Sequence, residues 1–336
     1  MRIALDDIRM IGGGLSRPEC VLAHSSGLLI APDWTDPGGV ALIAPDSRIE
    51  RILATRPGPG VDLPIRPNGI ALEDGGTILI AHMADERGGI YRLHSDGSCD
   101  VVTDRVGEDP MPPVNFVAIR DGRIWITVST RLIHRSRDYR PDASTGFVAV
   151  HDADGTRVAA DGLGYTNECL FSADGRTIWV VETFGRRILA FDVESDRLSN
   201  RRTLAAFGPG DFPDGIASMA DGSLIATSIV SNRLLRILPD GTAETVLEDS
   251  DPDHLTEVER AFTAGEMARP HLAVAKSCKL RNISNIAFGG PDLKTAYLGC
   301  LLGDTIAVFD SPLAGTPPPH WNADLGPLDH ILKEAR

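Results

Sequence analysis

Apolar and polar positions along this chain repeat as one unit. Six segments carry it: RPECVLAHSSGLLIAPDW, RPNGIALEDGGTILIAHM, PPVNFVAIRDGRIWITVS, YTNECLFSADGRTIWVVE, FPDGIASMADGSLIATSI and ISNIAFGGPDLKTAYLGC. Each opens on a small or cyclic residue and a polar one, runs into an apolar strand, turns, and returns as a second apolar strand. Asp-Gly or Gly-Gly marks most of the turns, as tight hairpins require. Most copies continue into a third strand, such as GGVALIAP or GFVAVHD, and several into a fourth, such as AETVLE. Strict alternation is only partial, which suits strands covered on both faces. The polar openers are Glu19, Asn68, Asn115, Asn167, Asp214 and Asn285, spaced 49, 47, 52, 47 and 71 residues apart. A four-stranded unit of about 40–50 residues is a propeller blade. The pattern therefore predicts an all-β, six-bladed β-propeller of four-stranded blades, forming one domain over residues 1–336. The blades start near residues 17, 66, 113, 165, 212 and 283.

Two insertions break the period, at residues 130–145 and 250–280. The second reads as a short helix between blades five and six. Asp251 suits its N-cap and Pro252 its first position, while Leu255, Val258 and Phe262 share a face and Gly265 ends it. Both insertions are expected on a propeller face, as decoration or as a rim over the channel mouth.

In a propeller the innermost strands run beside the central channel, so equivalent positions converge near the axis. The six openers should form a ring of two carboxylates and four amides at one channel end. An all-oxygen set suits a hard divalent cation, Ca²⁺ or Mg²⁺, better than Zn²⁺. Without an ion, two carboxylates in a narrow channel repel, and one is pushed towards protonation. The alternative is that Asn and Asp simply build turns through side-chain to backbone bonds. That reading is strongest for Asn68 and Asn285, and it does not explain Glu19.

Bulk properties narrow the partners. The net charge of −14 argues against nucleic acid and anionic membrane surfaces, whose phosphates call for Lys and Arg. No run of 18 apolar residues and no signal-peptide pattern is present, and five scattered cysteines without a C-x-x-C fit free thiols in a reducing cytoplasm. The expected partner is a small molecule.

RPECV, VNFVAIRDGRIW, TNECLFSADGRTIWV, FPDGIASMADGSL and SNIAFGGPDLKTAYLG, in that order, resemble the gluconolactonase/senescence-marker-protein (regucalcin) family. The resemblance spans roughly residues 14–313. It implies a six-bladed propeller with one catalytic divalent ion, Ca²⁺ first, with Mg²⁺, Mn²⁺ or Zn²⁺ as other options. It further implies that Glu19, Asn167 and Asp214 ligate the ion, and that Asn115 is a fourth ligand or a substrate contact. Two departures stand out. PPVNFV puts Pro113 and Phe116 where sugar lactonases carry polar partners, and the Thr-Asn-Gly step has become Thr166-Asn167-Glu168. Both point away from a sugar and towards a more apolar or differently charged substrate.

The expected activity is metal-dependent hydrolysis of a lactone or similar cyclic ester. The alternatives are another metal-dependent hydrolysis, of a phosphotriester or a carbon–carbon bond, and a non-catalytic calcium-binding propeller. Asp214 is the first candidate for proton transfer and Glu19 the second. His271 is a candidate acid/base group at the channel mouth. Phe116 is a candidate substrate contact, and Arg135, Arg137 and Tyr139 in the first insertion are candidates for holding a substrate carboxylate. His82 and Trp34 are read as packing residues. Cys20 and Cys169 neighbour presumed ligands on a strand, so they should face away as buried hydrophobes.

Overall fold

The computed structural model describes residues 2–333. Among them, six sheets of four or five strands are arranged as six propeller blades. Blades one to five each follow the chain outwards. Their inner strands are Leu22–Ala23, Pro67–Leu72, Val114–Arg120, Thr166–Phe171 and Asp211–Ser218, and that of blade six is Ile283–Gly289. Blade six takes its outermost strand from the other end of the chain. Arg9–Ile11 pairs antiparallel with Ile306–Asp310, with Met10 opposite Ala307. The ring is thus closed by the N-terminal segment, a feature the repeat pattern does not show.

Why these strands lack clean hydrophobic alternation follows from where their side chains go. Phe147 and Ala149 pack towards blade two, whereas Val148 and Val150 pack towards blade four. Val180 and Val181 divide in the same way between blades three and five. Each gap between neighbouring blades is filled by its own apolar cluster, so both faces of a middle blade are core.

The inserted helix runs Pro252–Thr263, with the Asp251 carboxylate accepting the His254 N–H at 2.7 Å. Gly265 follows at φ +69°, the left-handed conformation that favours glycine after a helix. Val258 and Phe262 are buried and Leu255 is packed beside them. Their partners explain the helix's position. Phe262 stands 5.2 Å from Phe212 and 5.9 Å from Phe184, and Tyr139 of the first insertion lies 4.7 Å from Phe184 and 5.4 Å from Tyr165. Both insertions therefore meet in one aromatic cluster, beside the starts of the inner strands of blades four and five. No helix among the described residues is long and apolar enough to cross a membrane.

Candidate functional site

The six polar openers are all buried, at 2–7% exposure. What turns five of them to the channel, all but Glu19, is a recurring irregularity. Pairing of the first two strands slips between Pro67 and Ile70, Val114 and Phe116, Thr166 and Cys169, Pro213 and Ile216, and Ile283 and Asn285. Each slip contains or ends on an opener. A bulge re-aims a side chain that regular alternation would send into the neighbouring blade. The glycines of the Pro-Asn-Gly and Pro-Asp-Gly steps have a second cause. A Cβ on Gly69 would lie 2.5 Å from the Phe116 ring, and one on Gly215 2.5 Å from the Ser284 carbonyl oxygen. Only glycine lets adjacent inner strands come this close.

The second strand of each blade then orients the amides. Asn115 donates through Nδ2 to Ser129 Oγ at 3.0 Å, and Asn167 through Nδ2 to Thr183 Oγ1 at 3.0 Å. Holding the amide nitrogen in this way leaves the Asn167 oxygen for the channel, whereas Asn115 Oδ1 accepts from Asn68 Nδ2 at 3.4 Å. Asn167 Oδ1 and Glu19 Oε2 are buried with no hydrogen-bond partner. Such atoms are rare in native proteins and call for an occupant. Asp214 adds a carboxylate hydrogen-bonded to Asn167, its acidity pushed far down by burial and then by the charges of Glu19 and Glu168. Burial also raises the Glu19 pKa, against the pull of Arg17 and Arg135.

Two openers do different work. Asn68 donates to the Asn115 carbonyl at 2.9 Å, and Asn285 accepts from Val21 N–H at 2.9 Å while donating to Glu168 at 2.7 Å. They tie blades together across the channel. The turn-building role expected for these two residues is thus replaced by a blade-bridging one.

Glu168, noted in the sequence only as a departure from the Thr-Asn-Gly step, is a third carboxylate of the ring. Regular alternation would point it opposite to Asn167, but the pairing slip between Thr166 and Cys169 takes in both residues. Glu168 reaches from blade four to Asn285 on blade six, and its Oε2 accepts the Ile216 N–H of blade five at 3.1 Å. Burial, opposed by these two hydrogen bonds, pushes its pKa up to about 8. The carboxyl therefore holds a proton at neutral pH. The one available signal was a charged residue standing inside an otherwise buried strand.

Arg17 was missed as well. It takes φ +56° two residues before Glu19, a costly backbone for a non-glycine residue. Its guanidinium lies 3.5 Å from Glu19 Oε2 and stacks over Trp34 at 4.8 Å. Trp34 is fixed in turn by an Nε1–H bond to the Pro67 carbonyl at 2.7 Å. Trp34 packs, as expected, and what it packs is a site arginine. His82 stacks on Tyr91 at 4.9 Å, takes the Arg66 N–H, and has its pKa pushed down to about 4 by burial. Cys20 and Cys169 face away into inter-blade clusters, and burial pushes the Cys169 thiol up to about 12.

The first insertion needs a correction. Arg137 is exposed and donates to the Ile133 carbonyl at 3.2 Å, within its own turn. Arg135 is the residue near the ring, touching Met83 and close enough to Glu19 and Arg17 for their charges to be felt. A short 3₁₀ turn over Arg135–Asp138 sends alternate arginines to opposite sides. Tyr139 is buried in the aromatic cluster beside Arg135. His271 accepts the Ala268 N–H at 3.0 Å and so closes its own helical turn, with no hydrogen bond to the ring. Phe116 is half-buried against Gly69 at the margin of the ring.

A mixed carboxylate–amide ring of this kind fits a hard cation. Glu19, Asn167 and Asp214 offer oxygens, of which Asn167 Oδ1 has no partner and Glu19 Oε2 only the long Arg17 contact, and the neighbouring Cys20 and Cys169 lie in inter-blade clusters. Among the described residues no three His, Cys, Asp or Glu side chains form a ligand cluster, so any ion relies on the Asn167 amide.

Residues 108–249 match the model of one family, the SMP-30/Gluconolactonase/LRE-like region. It is the family that the motifs resemble. Solved structures of similar shape carry related names. A luciferin-regenerating enzyme superposes with a TM-score of 0.64 at 16% identity, covering 94% of this chain and 99% of its own. A gluconolactonase from Xanthomonas campestris gives 0.61 at 19% identity, covering 91% and 88%. A calcium-binding protein, regucalcin, from Agrobacterium tumefaciens gives 0.61 at 14% identity, covering 91% of each chain. At these identities the likeness is one of fold.

Proposed function

We propose that the protein is a metal-dependent hydrolase that opens a lactone or similar cyclic ester of a small molecule. The observation that carries this reading is Asn167 Oδ1, buried with no hydrogen-bond partner, beside Glu19 Oε2, whose one contact is a long ion pair to Arg17 at 3.5 Å, and the strongly perturbed Asp214 carboxylate. The family match and the gluconolactonase neighbour support the substrate class.

Glu19, Asn167 and Asp214 would hold the ion, with Asn115 as the fourth group. A divalent ion supplies Lewis-acid polarisation of the ester carbonyl when bound. Thr183 holds the Asn167 amide so that its oxygen stays turned to the channel. Asp214 is the group to take a proton from the attacking water, because a bound cation would keep its carboxylate ionised against the burial that otherwise favours its protonated form. Glu168 presents a carboxyl that keeps its proton at neutral pH and braces blades four, five and six around that position. Phe116 and the aromatic cluster keep one wall apolar and limit water.

The test is a panel of aliphatic, aromatic and sugar lactones with phosphotriesters, assayed after chelation and again with Ca²⁺, Mg²⁺, Mn²⁺ or Zn²⁺ restored. Metal-restored turnover of at least one lactone is expected. Turnover confined to phosphotriesters would replace the substrate class. A second reading, a calcium-binding propeller without turnover, has the regucalcin neighbour in its favour. It gains if chelation lowers the melting temperature and no substrate reacts.

A further inference from the structure

Positive charge gathers at one place on this strongly acidic chain. A cleft of about 610 Å³ opens beside Arg17 and is walled by Lys279 and Arg281, with Asp304 its one acidic residue. Lys279 and Arg281 donate only to backbone carbonyls, of Leu5, Ser277 and Leu280, and ion-pair with no carboxylate among the described residues. Beyond the cleft's own lining, on the ring side of Arg17, Arg135 lies against Met83 and beside Tyr139 and Tyr165, again without an ion pair among the described residues. Tyr165 OH and Arg17 Nε are buried atoms with no partner. Exposed Arg269 adds its repulsion to that of Arg135 on Arg17.

This arrangement is costly as it stands. Arg17, acted on by Glu19 and Asp214, and Arg135, acted on by Glu19, are largely buried cations whose lost hydration these neighbours restore only in part. Among the described residues Glu19 is the only carboxylate in ion-pair range of Arg17, and its distance of 3.5 Å is long for a charge-assisted bond. Elsewhere the chain pairs its arginines closely, as Arg92 with Glu73 at 2.6 Å and Arg157 with Asp152 at 2.8 Å. Other arginines without an ion pair among the described residues, such as Arg87, Arg176 and Arg197, are exposed to water, whereas Arg17 and Arg135 stand at the ring. Planar guanidinium forks match a carboxylate, and an idle tyrosine hydroxyl can donate a further bond.

Resting on the hydrolase reading above, we infer that the substrate carries a carboxylate besides its ester. Arg17 and Arg135 hold that carboxylate, and Lys279 and Arg281 line its approach through the cleft. The scissile bond then lies on the Asn167–Asp214 side of the ring, and the anionic group on the Glu19–Arg17 side. The departure from sugar-lactonase sequence at Pro113 and Phe116 is consistent with this, because the charged groups stand on blade one and on the insertion of blade three rather than on its inner strand.

The test separates binding from turnover. Glutarate and its diamide serve as probes in calorimetric titrations of the intact protein. Glutarate should bind, more weakly as salt rises, and the diamide should not. Arg135→Met keeps volume and removes the charge. It should weaken glutarate at least about tenfold, the equivalent of one charge-assisted hydrogen bond. If that variant does not fold, the surface pair Lys279→Gln/Arg281→Gln carries the test, with a several-fold loss expected. Equal binding of glutarate and its diamide, or unchanged glutarate binding in the folded variant, overturns the inference. In a parallel kinetic arm, γ-butyrolactone is compared with its 5-carboxylate. A lower KM for the carboxylate, lost in Arg135→Met, supports the inference. Hydrolysis of the neutral lactone without glutarate binding defeats it while leaving the hydrolase reading intact. Glutarate binding with no turnover of either lactone does the reverse.

Discussion

Asp214 and Glu168 are two carboxylates in one buried ring with different roles, and substitution should separate them. Asp214→Ala removes a proposed ligand and the proposed base. Metal content by atomic emission should fall below that of the parent protein, and kcat should drop by about 10²-fold or more. Full metal content in this variant would remove Asp214 from the ligand set. Glu168 acts through its proton. Its folded pKa of about 8 lies above the ordinary 4.5. The stability tied to its neutral form is therefore present in full below pH 4.5 and is lost as the pH rises through about 8. Chelator-treated protein should melt lower at pH 8 than at pH 5. Glu168→Gln loses one acceptor, because Asn285 and Ile216 both donate to this side chain, so it should be less stable at pH 5. Its decline with pH should nevertheless be shallower. An equal slope in the two proteins would mean that Glu168 is not the titrating group.

At the scale of strands, the same bulges decide what the sequence reveals. Inner strands, Asp-Gly turns and the capped helix are legible because each has a local signature: a run of apolar residues, a turn pair, an N-cap with proline. A slipped register has none, since the extra residue looks like any other residue of the strand. Glu168 was hidden for this reason, because alternation assigns it to the opposite face from Asn167. Arg17 was hidden by its positive φ, and Arg135 and Arg137 read alike because a 3₁₀ turn sorts them by geometry rather than by composition. The close approach of inner strands yields its own test. Gly215→Ala would place Cβ 2.5 Å from the Ser284 carbonyl and 2.6 Å from the Asn285 backbone, neither of which can swing aside. A loss of about 1–3 kcal/mol in denaturant unfolding is expected from such overpacking. Gly13→Ala, where nothing lies within 4 Å, is the control and should stay near the parent value. Similar losses in both would mean that strand approach is not what Gly215 serves.

For the whole ring, closure depends on a segment outside the repeat. Ile306–Asp310 would be the bare outer edge of blade six without Arg9–Ile11 against it. Exposed edges of this kind pair with other chains. The segment also brings Ile3 and Ile8 into the cluster between blades five and six, beside Val246 and Leu280, and the Ile3 N–H donates to the Val246 carbonyl at 2.8 Å. Each buried isoleucine is worth roughly 1.5–3 kcal/mol relative to exposure. The strand and its two anchors therefore stabilise the junction where the first and last blades meet, which is also where Glu19 and Asn285 are brought to one ring. Removing residues 2–12 should lower the melting temperature and make the protein oligomerise as its concentration rises, measured by light scattering. Ile8→Ala, which keeps the strand and creates a cavity, should cost about 2–4 kcal/mol without that oligomerisation. The two variants separate packing from edge protection. A truncated protein that stays monomeric and melts like the parent would show that the ring holds without its clasp. The inner-strand bridges, such as Asn285 to Val21 at 2.9 Å and Ser284 to the Glu19 carbonyl at 2.7 Å, would then be sufficient to join blade six to blade one.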